Sequence, residues 1–167
     1  TRAVYDSAGI QIFVIYLLLA MISPAIHFER FVISCMIAAS ITIAVWTFYP
    51  TFGALPLLYS QGLSPPPFDL SMSKSYAVEL IRLHASNSVS IDSNNTLGLI
   101  GFPSFHTVIA VMSIYGVKNI PVFRMIVAAV NIVALLAIPA DGGHHFVDVI
   151  GGAVVGAISI GLASVIL

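Results

Sequence analysis

The chain has 167 residues, of which 59% are hydrophobic and only 8% are charged, and its mean hydropathy is +1.04. Because a soluble domain carries roughly 25% charged residues, this composition excludes an ordinary water-exposed surface and predicts a protein embedded in a lipid bilayer. The net charge of −1 provides no basic field, so we expect no nucleic-acid partner. The single cysteine, Cys35, excludes an intramolecular disulfide.

Five apolar segments reach or approach the roughly 20 residues that a membrane-spanning helix needs. They lie at about 8–26, 31–49, 104–117, 120–140 and 146–167, and the third is short. This pattern predicts an all-α helix bundle of about five membrane spans, in which residues 1–167 form one membrane-embedded domain. Because the chain begins at Thr1 rather than at Met, we expect that domain to be N-terminally incomplete. Gly152 and Gly156 have the GxxxG spacing that permits close contact between helices.

Residues 51–101 interrupt the apolar pattern with prolines, serines and asparagines. They predict a long loop between the second and third spans. Within that loop the spacing of apolar residues over 73–85 predicts a short helix at the membrane interface.

The charges of the short connections predict the orientation in the membrane. The connection at 27–30 carries Arg30, and Lys118 and Arg124 lie on either side of the join between the third and fourth spans; these are three of the six Lys and Arg residues. Positive charge favours the cytoplasmic side. We therefore expect the long loop and the two histidine motifs described next on the opposite, outer side.

The first motif is the run from Asp141 to Asp148, which contains two glycines and His144. His144 and Asp148 are four residues apart, so on a helix they share one face, and the carboxylate can accept the Nδ1–H of the imidazole. That leaves Nε2 as a nucleophile or base. The alternative is an interfacial histidine with a carboxylate that complements the helix dipole. An aspartate in the first turn of a membrane helix is costly, which makes it a candidate for function.

The second motif is Pro103-Ser104-Phe105-His106. Ser104 can cap the third helix, and the free N–H groups of Phe105 and His106 then form an anion site. His106 can donate a proton to a leaving oxygen. The alternative is a capped helix with an incidental histidine.

Together the two motifs predict in-line transfer of a phosphoryl group. His144 attacks phosphorus, His106 protonates the leaving alkoxide, and helix N-termini stabilise the negative charge. A cationic side chain is also expected, and Arg82 is preferred over Lys74; alternatively, Arg82 pairs with Glu79 or with a lipid headgroup. The predicted substrate-binding residues are Ser104, Phe105, Arg82, Lys74 and Gly143.

The residues of both motifs resemble those of a known family. Phe-Pro-Ser-x-His at 102–106 and Gly-His-x-x-x-Asp at 143–148, followed by Gly151-Gly152, resemble the type 2 phosphatidic acid phosphatase (PAP2) superfamily. The branch with inositol phosphorylceramide synthases and related bacterial membrane phosphatases is the most similar. The resemblance covers roughly residues 60–167 and, more loosely, the two preceding helices.

The resemblance implies a six-helix membrane core, which here lacks its first helix, and an active site at the outer surface that needs neither metal nor cofactor. It implies a multi-pass protein of the bacterial inner membrane with a periplasmic site. By matching position it also implies four roles: nucleophile for His144, orienting partner for Asp148, general acid for His106 and phosphate ligand for Ser104. The implied reaction is hydrolysis of a lipid phosphate ester or transfer of its phosphate to an alcohol.

The chain departs from the family pattern at two cationic motifs. The family's first motif, a Lys six or seven residues before Arg-Pro, is absent, because no Lys precedes Pro50 or Pro56. Six residues before the histidine of the last motif, where the family often has Ser-Arg, this chain has Ala137 and Ile138. Arg82 is the candidate to replace these missing cations.

Two other functions are compatible with the sequence. A metalloenzyme could use His106, His144, His145 and Asp148, although adjacent histidines point about 100° apart on a helix and share one ion poorly. A non-catalytic scaffold or transport subunit would need polar groups within the spans, and Asn131 and Arg124 are the notable ones.

Overall fold

The computed structural model describes residues 7–51, 53, 57–58, 61–63, 82, 100–140 and 144–167. Five α-helices have their bounds within this part of the chain: α1 (Ala8–Ile22), α2 (Ala25–Phe48), α3 (Phe105–Gly116), α4 (Pro121–Ala140) and α5 (Phe146–Ile166). No described residue belongs to a strand. The predicted all-α bundle is therefore confirmed. The short helix predicted at 73–85 lies outside the described residues, apart from Arg82, which is helical.

Three of these helices are long and apolar enough to cross a membrane: α2, α4 and α5. The other two are apolar but shorter, with 15 residues in α1 and 12 in α3. At 1.5 Å of rise per residue, α3 extends over about 18 Å, well short of the roughly 30 Å of a bilayer core. The three long apolar helices fit an integral membrane protein.

The connection between the first two helices differs from the prediction. Instead of a loop at 27–30, only Ser23 and Pro24 separate α1 from α2. Proline is suited to this position because it has a fixed φ and lacks the N–H that a helix start leaves unpaired. His27 is consequently a buried residue of α2, with Nε2 3.0 Å from the carbonyl oxygen of Gly116.

Among the helices that the structure describes, the short helix α3 is central, because it packs against α1, α2, α4 and α5. Its residues Val108 and Met112 are buried with Ile15 and Leu19 of α1 and Phe31 of α2. A helix surrounded in this way need not span the membrane, because its neighbours rather than lipid cover its apolar faces. The helix that carries His106 is thus held on several sides.

Small residues allow α5 to approach α3 closely. A Cβ atom at Gly156 would lie 2.8 Å from Cγ1 of Val111, and one at Gly152 would overlap the carbonyl oxygen of Ser104. These contacts confirm the close helix packing predicted from the spacing of the two glycines. They also place the first turns of α3 and α5 side by side.

Candidate functional site

The two histidine motifs meet where α3 and α5 begin. The backbone N–H of Ser104 donates to the carbonyl oxygen of Asp148 at 2.9 Å, which ties the two helix starts together. The rings of His106 and His144 have centroids 6.1 Å apart and planes inclined by 64°. Side chains that are 38 positions apart in sequence therefore share one small volume.

His144 precedes the last helix rather than lying on it. The helix α5 begins at Phe146, so His144 is two residues before its first turn, and its side chain is 5% exposed. Its Nδ1 lies 2.8 Å from the carbonyl oxygen of Gly101. A carbonyl oxygen can only accept, so Nδ1 carries a proton, and in the neutral ring Nε2 then has the lone pair. This is the tautomer that a nucleophilic Nε2 requires.

Asp148 contacts His144 differently from the sequence prediction. Its Oδ2 accepts the backbone N–H of His145 at 2.7 Å and lies 3.7 Å from Nδ1 of His144, beyond hydrogen-bond distance. The reason is the position of the helix start: because α5 begins at Phe146, the carboxylate caps the helix, and the carbonyl of Gly101 is the direct acceptor of the imidazole proton. The buried carboxylate is nevertheless the acidic group beside this ring within the described residues, 3.7 Å from Nδ1.

Ser104 caps α3 as predicted. It is fully buried, and its Oγ accepts the N–H of Thr107 at 3.3 Å. The N–H groups of Phe105 and His106 belong to the first turn, where no carbonyl of the helix itself can accept them. The side chain of Phe105 is 36% exposed and that of His106 is partly buried. The positive end of the α3 dipole therefore lies beside an imidazole.

Two residues at the site were not predicted from the sequence. Gly101 supplies the carbonyl that holds His144, and Thr51 accepts the N–H of Phe102 on its Oγ1 at 2.6 Å. A backbone carbonyl carries no side-chain signature, so no motif pointed to Gly101. Thr51 lies 50 positions before it in the chain, in a segment predicted only as the start of a loop.

The remaining predicted residues are placed only in part. Lys74 and Gly143 lie outside the described residues, and Arg82 is described as helical and exposed, so their phosphate-binding roles stay predictions. His145 is exposed and precedes α5 as its N-cap residue. Within the described ranges, no group of three or more His, Cys, Asp and Glu side chains is placed to hold a metal ion.

The fold and the site together define a class: a helical membrane protein with two histidines at adjoining helix starts, an arrangement suited to phosphoryl chemistry. The model of one family, the PAP2 superfamily, matches residues 1–162, and the chain belongs to this superfamily. Membership implies a phosphatase-type enzyme that acts on phosphate esters. Comparison with curated proteins and with solved structures gives no match.

Proposed function

We propose that this protein cleaves a lipid phosphate ester through a phosphohistidine formed on His144. The observation that carries the proposal is the bond from Nδ1 of His144 to the Gly101 carbonyl, because it leaves the lone pair on Nε2. The ring of His106, with its centroid 6.1 Å from that of His144, lies at a suitable distance for both rings to reach one phosphate. Membership of the PAP2 superfamily supports phosphate-ester chemistry.

The first step is an in-line displacement. Nε2 of His144 forms a bond to phosphorus while the bond from phosphorus to the ester oxygen breaks, and its electron pair goes to that oxygen. His106 gives the leaving oxygen a proton. The imidazole of His144 becomes positively charged as it is phosphorylated, and the carboxylate of Asp148, 3.7 Å from Nδ1, stabilises that charge.

The second step regenerates the enzyme. A water molecule, or the hydroxyl of an acceptor alcohol, attacks the phosphohistidine and gives its proton to His106. The bond between phosphorus and Nε2 breaks, and its electron pair returns to the nitrogen. Water as the acceptor makes the protein a phosphatase, and an alcohol makes it a phosphotransferase.

The proposed phosphate cradle is the first turn of α3. The backbone N–H groups of Phe105 and His106 are the proposed donors to the phosphate, and this end of the helix dipole favours an anion. The Oγ of Ser104 uses a lone pair for Thr107, so its O–H proton can be donated to a phosphate oxygen. Cationic contacts are proposed for Arg82 and Lys74, and a backbone contact for Gly143.

A lipid substrate is supported by the surroundings of the site. The side chains that begin α3 and α5, Phe105 and Phe146, are 36% and 73% exposed, so apolar surface adjoins the two histidines. The motif resemblance to inositol phosphorylceramide synthases also favours a lipid headgroup phosphate. Phosphatidate, phosphatidylglycerol phosphate, an isoprenoid diphosphate and an inositol-phosphate donor are the candidates. We propose that the site faces the periplasm of a bacterial inner membrane, because Lys118 lies in the connection between α3 and α4, and Arg30 and Arg124 lie near the starts of α2 and α4 at the same end of the bundle.

The test is product release by the purified protein in mixed micelles, with and without a chelator: inorganic phosphate from the first three lipids and inositol phosphate from the inositol-phosphate donor. We expect turnover that the chelator does not change, and loss of turnover in His144→Ala and His106→Ala. The matched control is His145→Asn, which replaces the exposed neighbouring histidine with a residue favoured at a helix N-cap.

Three results would count against the proposal. Equal phosphate release by the wild type, His144→Ala and His106→Ala would remove the histidine mechanism. Loss of activity with the chelator, together with an inactive His145→Asn, would favour the metalloenzyme instead. The third is the absence of protein-bound phosphate after a rapid alkaline quench of the wild type during turnover, since the P–N bond of a phosphohistidine survives alkali, whereas His144→Ala should carry no phosphate in any case.

A further inference from the structure

We propose that Thr51 is a positioning residue, whose hydroxyl holds the Gly101–Phe102 backbone so that the Gly101 carbonyl keeps the proton of His144 on Nδ1. This inference rests on the proposed function in one respect, the role of His144 as nucleophile. The placement of the proton can be measured whether or not that role is correct.

Two successive hydrogen bonds connect Thr51 to His144. The N–H of Phe102 donates to Oγ1 of Thr51 at 2.6 Å, and the carbonyl of Gly101 accepts from Nδ1 of His144 at 2.8 Å. The N–H of Phe102 and the carbonyl of Gly101 belong to the same peptide unit. Because a peptide unit is planar and rigid, a bond that fixes its N–H also fixes the direction of its carbonyl.

Close packing holds the same peptide from a second direction. A Cβ atom at Gly101 would lie 2.6 Å from the backbone oxygen of Thr51 and 2.7 Å from its Oγ1, so only glycine permits this approach. The ring of Phe102 packs directly against Gly151 of α5, where any larger residue would overlap the ring. The peptide is therefore fixed between the chain that follows α2 and the start of α5.

The consequence for His144 concerns its two neutral tautomers. In water the imidazole proton exchanges between Nδ1 and Nε2, and only the Nδ1–H form has a lone pair on Nε2. The carboxylate of Asp148 is 3.7 Å from Nδ1, too far to accept this proton directly. The carbonyl of Gly101 is thus the group that selects the reactive tautomer, and Thr51 determines where that carbonyl points.

The experiment compares Thr51→Val with Thr51→Ser. Valine has nearly the shape of threonine but accepts no hydrogen bond, whereas serine keeps the hydroxyl. Thr47→Val is the matched control, because Thr47 is exposed on α2 and its hydroxyl donates only to the carbonyl of Ile43 in the same helix. Gly101→Ala is a second perturbation of the same contact, made from the other side.

Two quantities are measured in each variant. The first is the tautomer of His144, read from the nitrogen chemical shifts of protein labelled with ¹⁵N-histidine, with His144→Gln used to assign the signal. The second is the pair of kcat and KM for phosphate release. We expect Thr51→Val and Gly101→Ala to show a mixture of tautomers and to lose about 10-fold in kcat with little change in KM. Thr51→Ser and Thr47→Val should resemble the wild type.

Several outcomes would overturn this role for Thr51. One is a His144 that stays wholly Nδ1–H in Thr51→Val, whatever happens to kcat, since a loss of rate alone would then be structural. Another is a Thr51→Ser that behaves like Thr51→Val, because the hydroxyl would not be the cause. If the wild type releases no phosphate from any lipid, the proposed function fails, and the tautomer measurement alone decides the role of Thr51.

Discussion

Asp148→Asn tests how much of the chemistry depends on a negative charge beside His144. The substitution removes the charge but keeps an oxygen that can accept the N–H of His145, so the cap at the start of α5 is retained. We therefore expect a folded protein with a slower chemical step. Asp148→Ala is the comparison, because it removes the charge and the cap together.

The expected magnitude follows from the distance between the charges. Two unit charges 3.7 Å apart, as Oδ2 of Asp148 and Nδ1 of His144 are, attract by about 4 kcal/mol at an effective dielectric constant near 20. If the transition state carries about half of the imidazolium charge, the loss is about 2 kcal/mol, or roughly 30-fold in rate. With the full charge the loss approaches about 10³-fold. We expect kcat to fall within this range.

The assay is the initial rate of phosphate release at saturating lipid, with the unfolding of each variant measured in the same micelles. Asp148→Asn should unfold within about 1 kcal/mol of the wild type, and Asp148→Ala should lose about 1 kcal/mol or more with the cap. A well-folded Asp148→Asn whose kcat stays within about threefold of the wild type would refute the electrostatic role of this carboxylate.

Two further predictions concern helix packing and phosphate binding. Gly152→Ala should destabilise the protein by about 1–3 kcal/mol, because the new Cβ would overlap the backbone of Ser104. Gly161→Ala on the same helix is the control: its Cβ would have no neighbour within 4 Å, so the substitution should be neutral or stabilising. Equal shifts in the unfolding midpoints would contradict this packing argument. Arg82→Ala should raise KM for the lipid phosphate or abolish turnover, and Arg82→Lys should keep part of the affinity because it keeps the charge. An unchanged KM in Arg82→Ala would leave no phosphate-binding role for Arg82.

The helices were predictable because long apolar runs end at residues that stop helices. The predicted fourth segment, 120–140, agrees with α4 to within one residue, and Pro121 stands at its start. The predicted start of α2, at residue 31, is six residues too late, because the charged and polar side chains within 27–30 interrupt the apolar run. Those residues are helical because Pro24 begins the helix and because His27 finds a buried partner in the carbonyl of Gly116.

A shared side of the membrane was predictable for the two motifs, but the partner of His144 was not. The charges of the connections indicated that both motifs lie on the outer side, and the spacing of Gly152 and Gly156 indicated that the last helix could pack closely. The spacing of His144 and Asp148 indicated a carboxylate acceptor only if both residues were helical, and the helix starts two residues after His144. The actual acceptor is a backbone carbonyl whose place depends on the packing of Thr51.

The two polar neighbours of His144, the carbonyl of Gly101 and the carboxylate of Asp148, act on its ring in different ways. The neutral carbonyl of Gly101 fixes the tautomer of His144 and does not favour the charged ring as strongly as a carboxylate would. The carboxylate of Asp148, which lies farther away, can stabilise a positive charge on the ring without accepting its proton. The carboxylate of Asp148 accepts the N–H of His145 at 2.7 Å, while the carbonyl of Gly101 accepts from Nδ1 of His144 at 2.8 Å. One buried carboxylate can thus cap α5 and stabilise a positively charged His144 because Gly101 binds the proton in its place.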